Sequence, residues 1–200
     1  MLAAQSDYPL KMPPMTFDPD RALRLAHETF DIEAAAVQGL KARTGAGFAR
    51  AVEAMLAVRG RIVVMGMGKS GHIGRKIAAT LASTGTAAMF VHPAEASHGD
   101  LGMIKPIDLI LAVSNSGEVD ELTTLLPVIK RLGAKLVAMT GNPGSTLGRH
   151  ADIVLDSGVE RDVAVFGQRR RRIPCDGHQR HTLTAQHRQD GGEFFAFSAV

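Results

Sequence analysis

The sequence has no tryptophan, a single tyrosine, Tyr8, and a single cysteine, Cys175, in 200 residues. With aromatics at 4% of the chain, it offers few rings on which the bases of a nucleic acid could stack. One cysteine cannot form an internal disulfide, which fits a reducing compartment. No run of 18 or more apolar residues occurs, and a helix needs about that length to cross a bilayer. The start, Met1-Leu2-Ala3-Ala4-Gln5-Ser6-Asp7, lacks the basic and apolar regions of a signal peptide. The expectation is a cytoplasmic chain with no membrane partner.

The formal net charge of +3 would suggest a nucleic-acid surface if the charge were spread over the fold. It is not. Residues 163–200 hold six arginines against Asp176, Asp190 and Glu193, so residues 1–162 balance at 17 basic and 17 acidic side chains. A neutral body with one Arg-rich end argues against a nucleic-acid partner.

A length of 200 residues at 45% hydrophobic content allows one α/β domain with a sizeable core and is short for two. Residues 1–17, with Pro9, Pro13 and Pro14, read as a flexible arm. Asp18-Pro19-Asp20 then supplies a cap and a first-turn proline for a helix carrying Ala22, Leu25, Ala26, Phe30, Ala34, Val37 and Leu40 at helical spacing. A second helix is expected over about 48–58.

From Arg61 onward apolar strands alternate with helices: strands 62–65, 87–91, 109–113, 135–140 and 153–155, helices 70–83, 118–132 and a short one near 145–150, and a long loop between 91 and 109. Near-continuous apolar strands separated by helices predict a parallel five-stranded sheet covered on both faces, a flavodoxin-like α/β sandwich. After Asp162 the periodicity stops. Residues 163–200, with Arg169-Arg170-Arg171-Arg172 and four of the six glutamines, read either as a disordered basic tail or as the product of a shifted reading frame.

Two loops close apolar strands with small polar residues: Gly66-Met67-Gly68-Lys69-Ser70-Gly71 after Ile62-Val63-Val64-Met65, and Ser114-Asn115-Ser116-Gly117-Glu118 after Leu109-Ile110-Leu111-Ala112-Val113. A strand feeding such a loop and then a helix aims backbone N–H groups at the carboxyl edge of the sheet, where a phosphate is well received.

The first loop satisfies G-x-G-x-x-G literally, yet strand 87–91 ends in His92-Pro93 rather than beside an acidic residue for a ribose. Lys69 and Ser70 also occupy a turn that dinucleotide folds keep bare. A P-loop is excluded because Val63 stands where its first glycine is required. The second loop is an uncharged nest at a helix start, with Glu118 able to reach a sugar hydroxyl or to cap the helix that the loop opens.

Three blocks then carry a resemblance: residues 63–76, the stretch Phe90-Val91-His92-Pro93-Ala94-Glu95-Ala96-Ser97-His98-Gly99-Asp100-Leu101-Gly102-Met103, and the loop 114–118. Together, over residues 18–162, they resemble the sugar isomerase (SIS) domain of the KpsF/GutQ group, the arabinose-5-phosphate isomerases. The resemblance implies a homotetrameric enzyme that interconverts D-arabinose 5-phosphate and D-ribulose 5-phosphate through an ene-diolate, at the entry to Kdo for lipopolysaccharide, with no organic cofactor and no metal.

It implies Lys69 as the partner of the developing oxyanion, Glu121 and Asp162 as active-site carboxylates, and His98 for ring opening or proton relay. Gly68, Ser70, Ser114, Asn115, Ser116, Gly117, Glu118 and His92 would bind the phosphate or the sugar, with Ser83 and Thr86 as further candidates. The family carries a glutamate in the context Glu-Ala-Cys-Pro where this chain has Asp162-Val163, and later a His-Pro-Gly-Gly histidine and paired CBS domains that do not occur within these 200 residues. A non-catalytic phosphosugar-binding module is therefore the alternative to an active isomerase.

Overall fold

A computed structural model describes residues 17–159, together with the backbone of 161–162 and 170–171. The chain falls into two units, residues 36–159 and residues 1–35 with 160–200. The expected arm at 1–17 and tail at 163–200 lie almost wholly outside the described residues.

In the second of these units, helix α1 (Pro19–Leu40) begins and runs on past Ala35. Asp18 caps it by accepting the Arg21 N–H at 3.0 Å, as Asp-Pro at a helix start predicts. None of its residues is buried, and Leu25, Phe30 and Val37 are exposed. Strands β6 (Arg161–Asp162) and β7 (Arg170–Arg171) form a short antiparallel pair.

The larger unit holds the sheet. Its strands are β1 (Ile62–Gly66), β2 (Ala88–Val91), β3 (Leu109–Val113), β4 (Lys135–Thr140) and β5 (Ile153–Asp156), all parallel, in the order β2-β1-β3-β4-β5. Both β1 and β3 are buried at every position, which explains why their sequences are unbroken apolar runs rather than alternations.

Successive side chains go to opposite faces. Val63, Met65, Ile110, Ala112, Leu136 and Ala138 pack with Leu122, Leu126, Ile129 and Leu147, which come from α5 (Asp120–Thr123), α6 (Leu126–Leu132) and α7 (Thr146–His150). On the other face Ile62, Val64, Leu109, Leu111, Val113 and Val137 meet Ala51 and Ala54 of α2 (Ala46–Leu56) and Ala78 of α3 (Gly68–Ser83).

The single helix expected over 118–132 is two. It starts at Asp120 and breaks after Thr123, because Pro127 has no N–H for the Thr123 carbonyl and its ring restricts the residue before it. The expected loop between β2 and β3 contains α4 (Pro93–Ser97) and a 3-10 turn at Asp100–Met103. Here His92-Pro93 opens a short helix, the same proline-at-the-start signal that marks α1.

Candidate functional site

The strand order reverses between β1 and β3. One chain path leaves β1 toward β2 and the other leaves β3 toward β4, so the two opening loops diverge from a common crevice at the carboxyl edge, the place where ligands bind open α/β sheets. Gly66 pairs directly with Val113, so the two small-residue loops start side by side.

The first loop leads straight into α3. Met67 is the cap, and Gly68, Lys69 and Ser70 form the first turn, whose N–H groups have no carbonyl within the helix to receive them. Gly68 has φ of +51°, a conformation that favours glycine. Lys69 is exposed at this helix end, an unfavourable position for a cation unless an anion joins it.

Glycines let the helix sit close. A Cβ on Gly71 would stand 2.8 Å from the Gly66 carbonyl oxygen, and one on Gly74 would stand 3.0 Å from the Phe90 ring. Phe90 is sandwiched in turn: the Arg75 guanidinium lies 4.2 Å over its ring, and the His92 ring meets it edge-on at 6.5 Å.

The second loop is folded on itself. Ser114 is buried, with 2% exposure, and its Oγ accepts the Gly117 N–H at 3.1 Å. Ser116 Oγ accepts the Glu118 N–H at 3.3 Å. Ser114 thus shapes the turn, while Asn115 and Ser116 are exposed. Gly117 has φ of +67°, and a Cβ on it would fall inside the Ser145 side chain.

Glu118 takes a partner that its sequence did not suggest. It lies before α5 rather than in it, and its Oε1 accepts the Thr146 N–H at 2.8 Å, so it caps α7 and not the helix that follows it in sequence. Glu121 therefore does not share a helix with Glu118; it sits exposed in the first turn of α5.

His92 caps α4, half-buried at the end of β2, and His98 ends the same helix exposed, donating its backbone N–H to the Glu95 carbonyl at 3.0 Å. Of Asp162 only the backbone is described.

Ser83 and Thr86 are not brought to this edge. Ser83 closes α3 at the far end from Gly68, and Thr86 precedes β2, which pairs Ala88 with Ile62 at the start of β1. The reason is topological: a helix that leaves the carboxyl edge must return to the amino edge before the next parallel strand begins.

The sequence reading missed the third wall, Thr140 to Ser145. Thr140 and Ser145 are buried, Gly141 donates its N–H to the Asn115 carbonyl at 3.0 Å, and Leu147 donates to the Gly117 carbonyl at 3.0 Å. Ser145 Oγ caps α7 by accepting the Gly148 N–H at 3.2 Å. The run Thr140-Gly141-Asn142-Pro143-Gly144-Ser145 after an apolar strand is the same kind of small, polar signal as the other two loops. Among the described residues no group of three or more His, Cys, Asp or Glu side chains could hold a metal ion, and no helix is long and apolar enough to cross a membrane.

A doubly wound parallel sheet, glycine and serine loops at its switch point and a lysine on the first turn of α3 define an open parallel α/β domain with its loops gathered at the carboxyl edge. The SIS domain model matches residues 55–169, and the chain belongs to the SIS domain family. It is 58% identical over 138 residues to arabinose 5-phosphate isomerase KdsD of Pseudomonas aeruginosa, a match that covers 69% of this chain and 42% of that protein. It is 50% identical over 140 residues to the protein of the same name from Escherichia coli K12, covering 70% and 43%. The chain thus spans about two fifths of the length of these relatives. Among solved structures, c3406 of Escherichia coli CFT073 in complex with arabinose 5-phosphate aligns with a TM-score of 0.70 and 36% identity, over 73% of this chain and 78% of that one.

Proposed function

We propose that this chain is the isomerase domain of an arabinose-5-phosphate isomerase, binding the sugar phosphate in the crevice between the loops after β1 and β3. The observation that carries this reading is the pairing of Gly66 with Val113, which sets the Lys69–Ser70 turn beside the Ser114–Gly117 turn. The likeness to KdsD proteins at 58% and 50% identity supports it.

The phosphomonoester is received by the N–H groups of Gly68, Lys69 and Ser70 and by the hydroxyls and amide of Ser70, Asn115 and Ser116. His98 assists opening of the sugar ring. A carboxylate, Glu121 or Asp162, then removes the proton from C2 of the open aldose. The electron pair forms the C1–C2 double bond while the carbonyl π electrons move to O1, giving an ene-diolate whose oxyanion Lys69 stabilises. The O2 hydroxyl proton then passes to O1, O2 becomes the carbonyl, and the carboxylic acid returns its proton to C1, which leaves D-ribulose 5-phosphate. His92 lines the sugar side of the crevice.

The proposal extends to a homo-oligomer, with a tetramer as in the family. The exposed apolar side chains Phe48, Val52 and Leu56 along α2 support an assembled state. A cytoplasmic location and a role in supplying Kdo belong to the same reading. The second reading, a binding module without chemistry, is favoured by Asp162 standing where the family carries a glutamate.

A discontinuous isomerase assay with D-arabinose 5-phosphate, run beside a thermal-shift titration with the same compound, tests both. Turnover supports the enzyme. Stabilisation without turnover supports the binding module, and neither effect would overturn the site.

A further inference from the structure

We propose that Glu118 is a positioning residue that ties the Ser116–Gly117 turn to the first turn of α7 and does not touch the sugar. The inference rests on the reading of this crevice as a phosphomonoester site and assigns a task to one of its residues.

Three hydrogen bonds link the segment after β3 to the segment after β4. Gly141 donates to the Asn115 carbonyl at 3.0 Å and Leu147 to the Gly117 carbonyl at 3.0 Å, and the Thr146 N–H reaches Glu118 Oε1 at 2.8 Å. The first two are fixed by backbone alone. The third depends on a side chain, and that side chain is a carboxylate at the rim of a crevice built to receive an anion.

A free carboxylate there would repel a phosphate. One engaged by a backbone N–H in a charge-assisted bond has an oxygen committed to that donor and holds its own loop in place. Glu118 acts on both sides of the crevice wall: its backbone N–H donates to Ser116 Oγ at 3.3 Å, and its side chain anchors α7. Gly117 lies between these two contacts with no room for a Cβ against Ser145, so a turn released from Thr146 loses the surface that shapes it.

The local backbone permits the donor to be removed from the other side, at the cost also of the Arg149 contact to the Thr146 hydroxyl at 3.0 Å. Thr146 is the first residue of α7, and Ser145 has φ of −66° and ψ of 168°, the extended conformation that a residue before proline adopts. Thr146→Pro therefore removes the donor at a position where helices accept proline, leaving Glu118 in place.

The test titrates the full chain and the variants Glu118→Gln, Glu118→Ala, Thr146→Pro and the Ala/Pro double with inorganic phosphate and with D-arabinose 5-phosphate, and records thermal unfolding of each. Glu118→Gln, which keeps the acceptor, is expected to bind like the parent. Glu118→Ala is expected to weaken both ligands about tenfold for the loss of one charge-assisted bond, Thr146→Pro at least as much because it also frees the carboxylate beside the anion, and the double variant returns to the level of Glu118→Ala. Loss of sugar-phosphate binding alone in Glu118→Ala, with Thr146→Pro harmless, would assign Glu118 to a sugar hydroxyl and overturn the proposal. Binding of inorganic phosphate unchanged in every variant would overturn it while leaving the site standing; no phosphate binding by the parent chain would overturn both.

Discussion

Gly71 and Gly66 meet backbone to backbone: a Cβ on Gly71 would stand 2.8 Å from the Gly66 carbonyl oxygen, closer than real Cβ atoms come to such a group. One is in the second turn of α3 and the other ends β1, so their contact sets how near Lys69 and Ser70 ride to the sheet edge. Glycine inside a helix ordinarily costs about 1 kcal/mol relative to alanine, yet here alanine is the worse residue. Gly71→Ala is expected to destabilise by about 1–3 kcal/mol through overpacking and to weaken phosphate protection in a thermal-shift titration. A gain in stability would mean that α3 moves freely away from β1.

Lys69 stands on the first turn of α3 with its charge set against the positive helix end. Removing it should leave folding intact or slightly improved while removing the group proposed to stabilise the oxyanion. Lys69→Ala is expected to keep the melting temperature of the parent or exceed it and to lower kcat about 10²- to 10³-fold, the usual loss for one oxyanion donor. A lower melting temperature with kcat retained would make Lys69 a structural residue. Measuring unfolding in buffers with and without inorganic phosphate separates the two, since only the anion reconciles that lysine with its helix.

Gly117→Ala addresses the other loop. Its φ of +67° is strained for a residue with a Cβ, and the Ser145 side chain occupies the space the methyl group needs. The expected cost is about 1–3 kcal/mol, and because the turn carries Ser116, KM for the sugar phosphate is expected to rise more than kcat falls. A kcat loss with KM unchanged would contradict the assignment of this turn to phosphate binding.

The strands and the two opening loops were legible because burial on both faces leaves a plain signature: Ile62 to Met65 and Leu109 to Val113 are unbroken apolar runs, each ending in glycine or serine. The expected parallel sheet and its carboxyl-edge crevice followed from the alternation. What was not legible concerns partners distant in sequence. Glu118 lies 28 residues from the N–H it binds, so a reading along the chain could only assign it to its own helix or to a ligand. Ser83 and Thr86 have side chains suited to phosphate but stand at and just past the end of a helix that has already crossed to the opposite edge. The break at Pro127 has a plain cause in the sequence, a residue without an N–H in the middle of an apolar stretch of helical period, which a single helix over 118–132 leaves out. Buried Thr140 and Ser145 belong to the third loop at the same edge, which the strand pattern implied once β4 was placed beside β3.

Asp108 offers the control that the site variants need. It is 3% exposed at the start of β3 and lies at the amino edge of the sheet, away from the crevice. Its two carboxylate oxygens accept the backbone N–H groups of Arg61 at 2.8 Å and Lys105 at 2.8 Å, and Gly60 leaves no space for a Cβ beside it. The carboxylate therefore binds the entry of β1 to the approach to β3. Asp108→Ala orphans both donors, each costing about 1–3 kcal/mol when left without a partner, and a net loss of about 2 kcal/mol is expected because both lie only partly buried. Asp108→Asn retains one acceptor and should recover about half of that loss. In both variants the folded fraction is expected to bind inorganic phosphate with the affinity of the parent, since nothing at the carboxyl edge has been touched. Chemical denaturation gives the stability and a phosphate titration below the unfolding transition gives the affinity. A fall in affinity alongside the fall in stability would mean that the two edges of the sheet are coupled, and the losses expected for Gly71→Ala and Gly117→Ala would then have to be read as global rather than local.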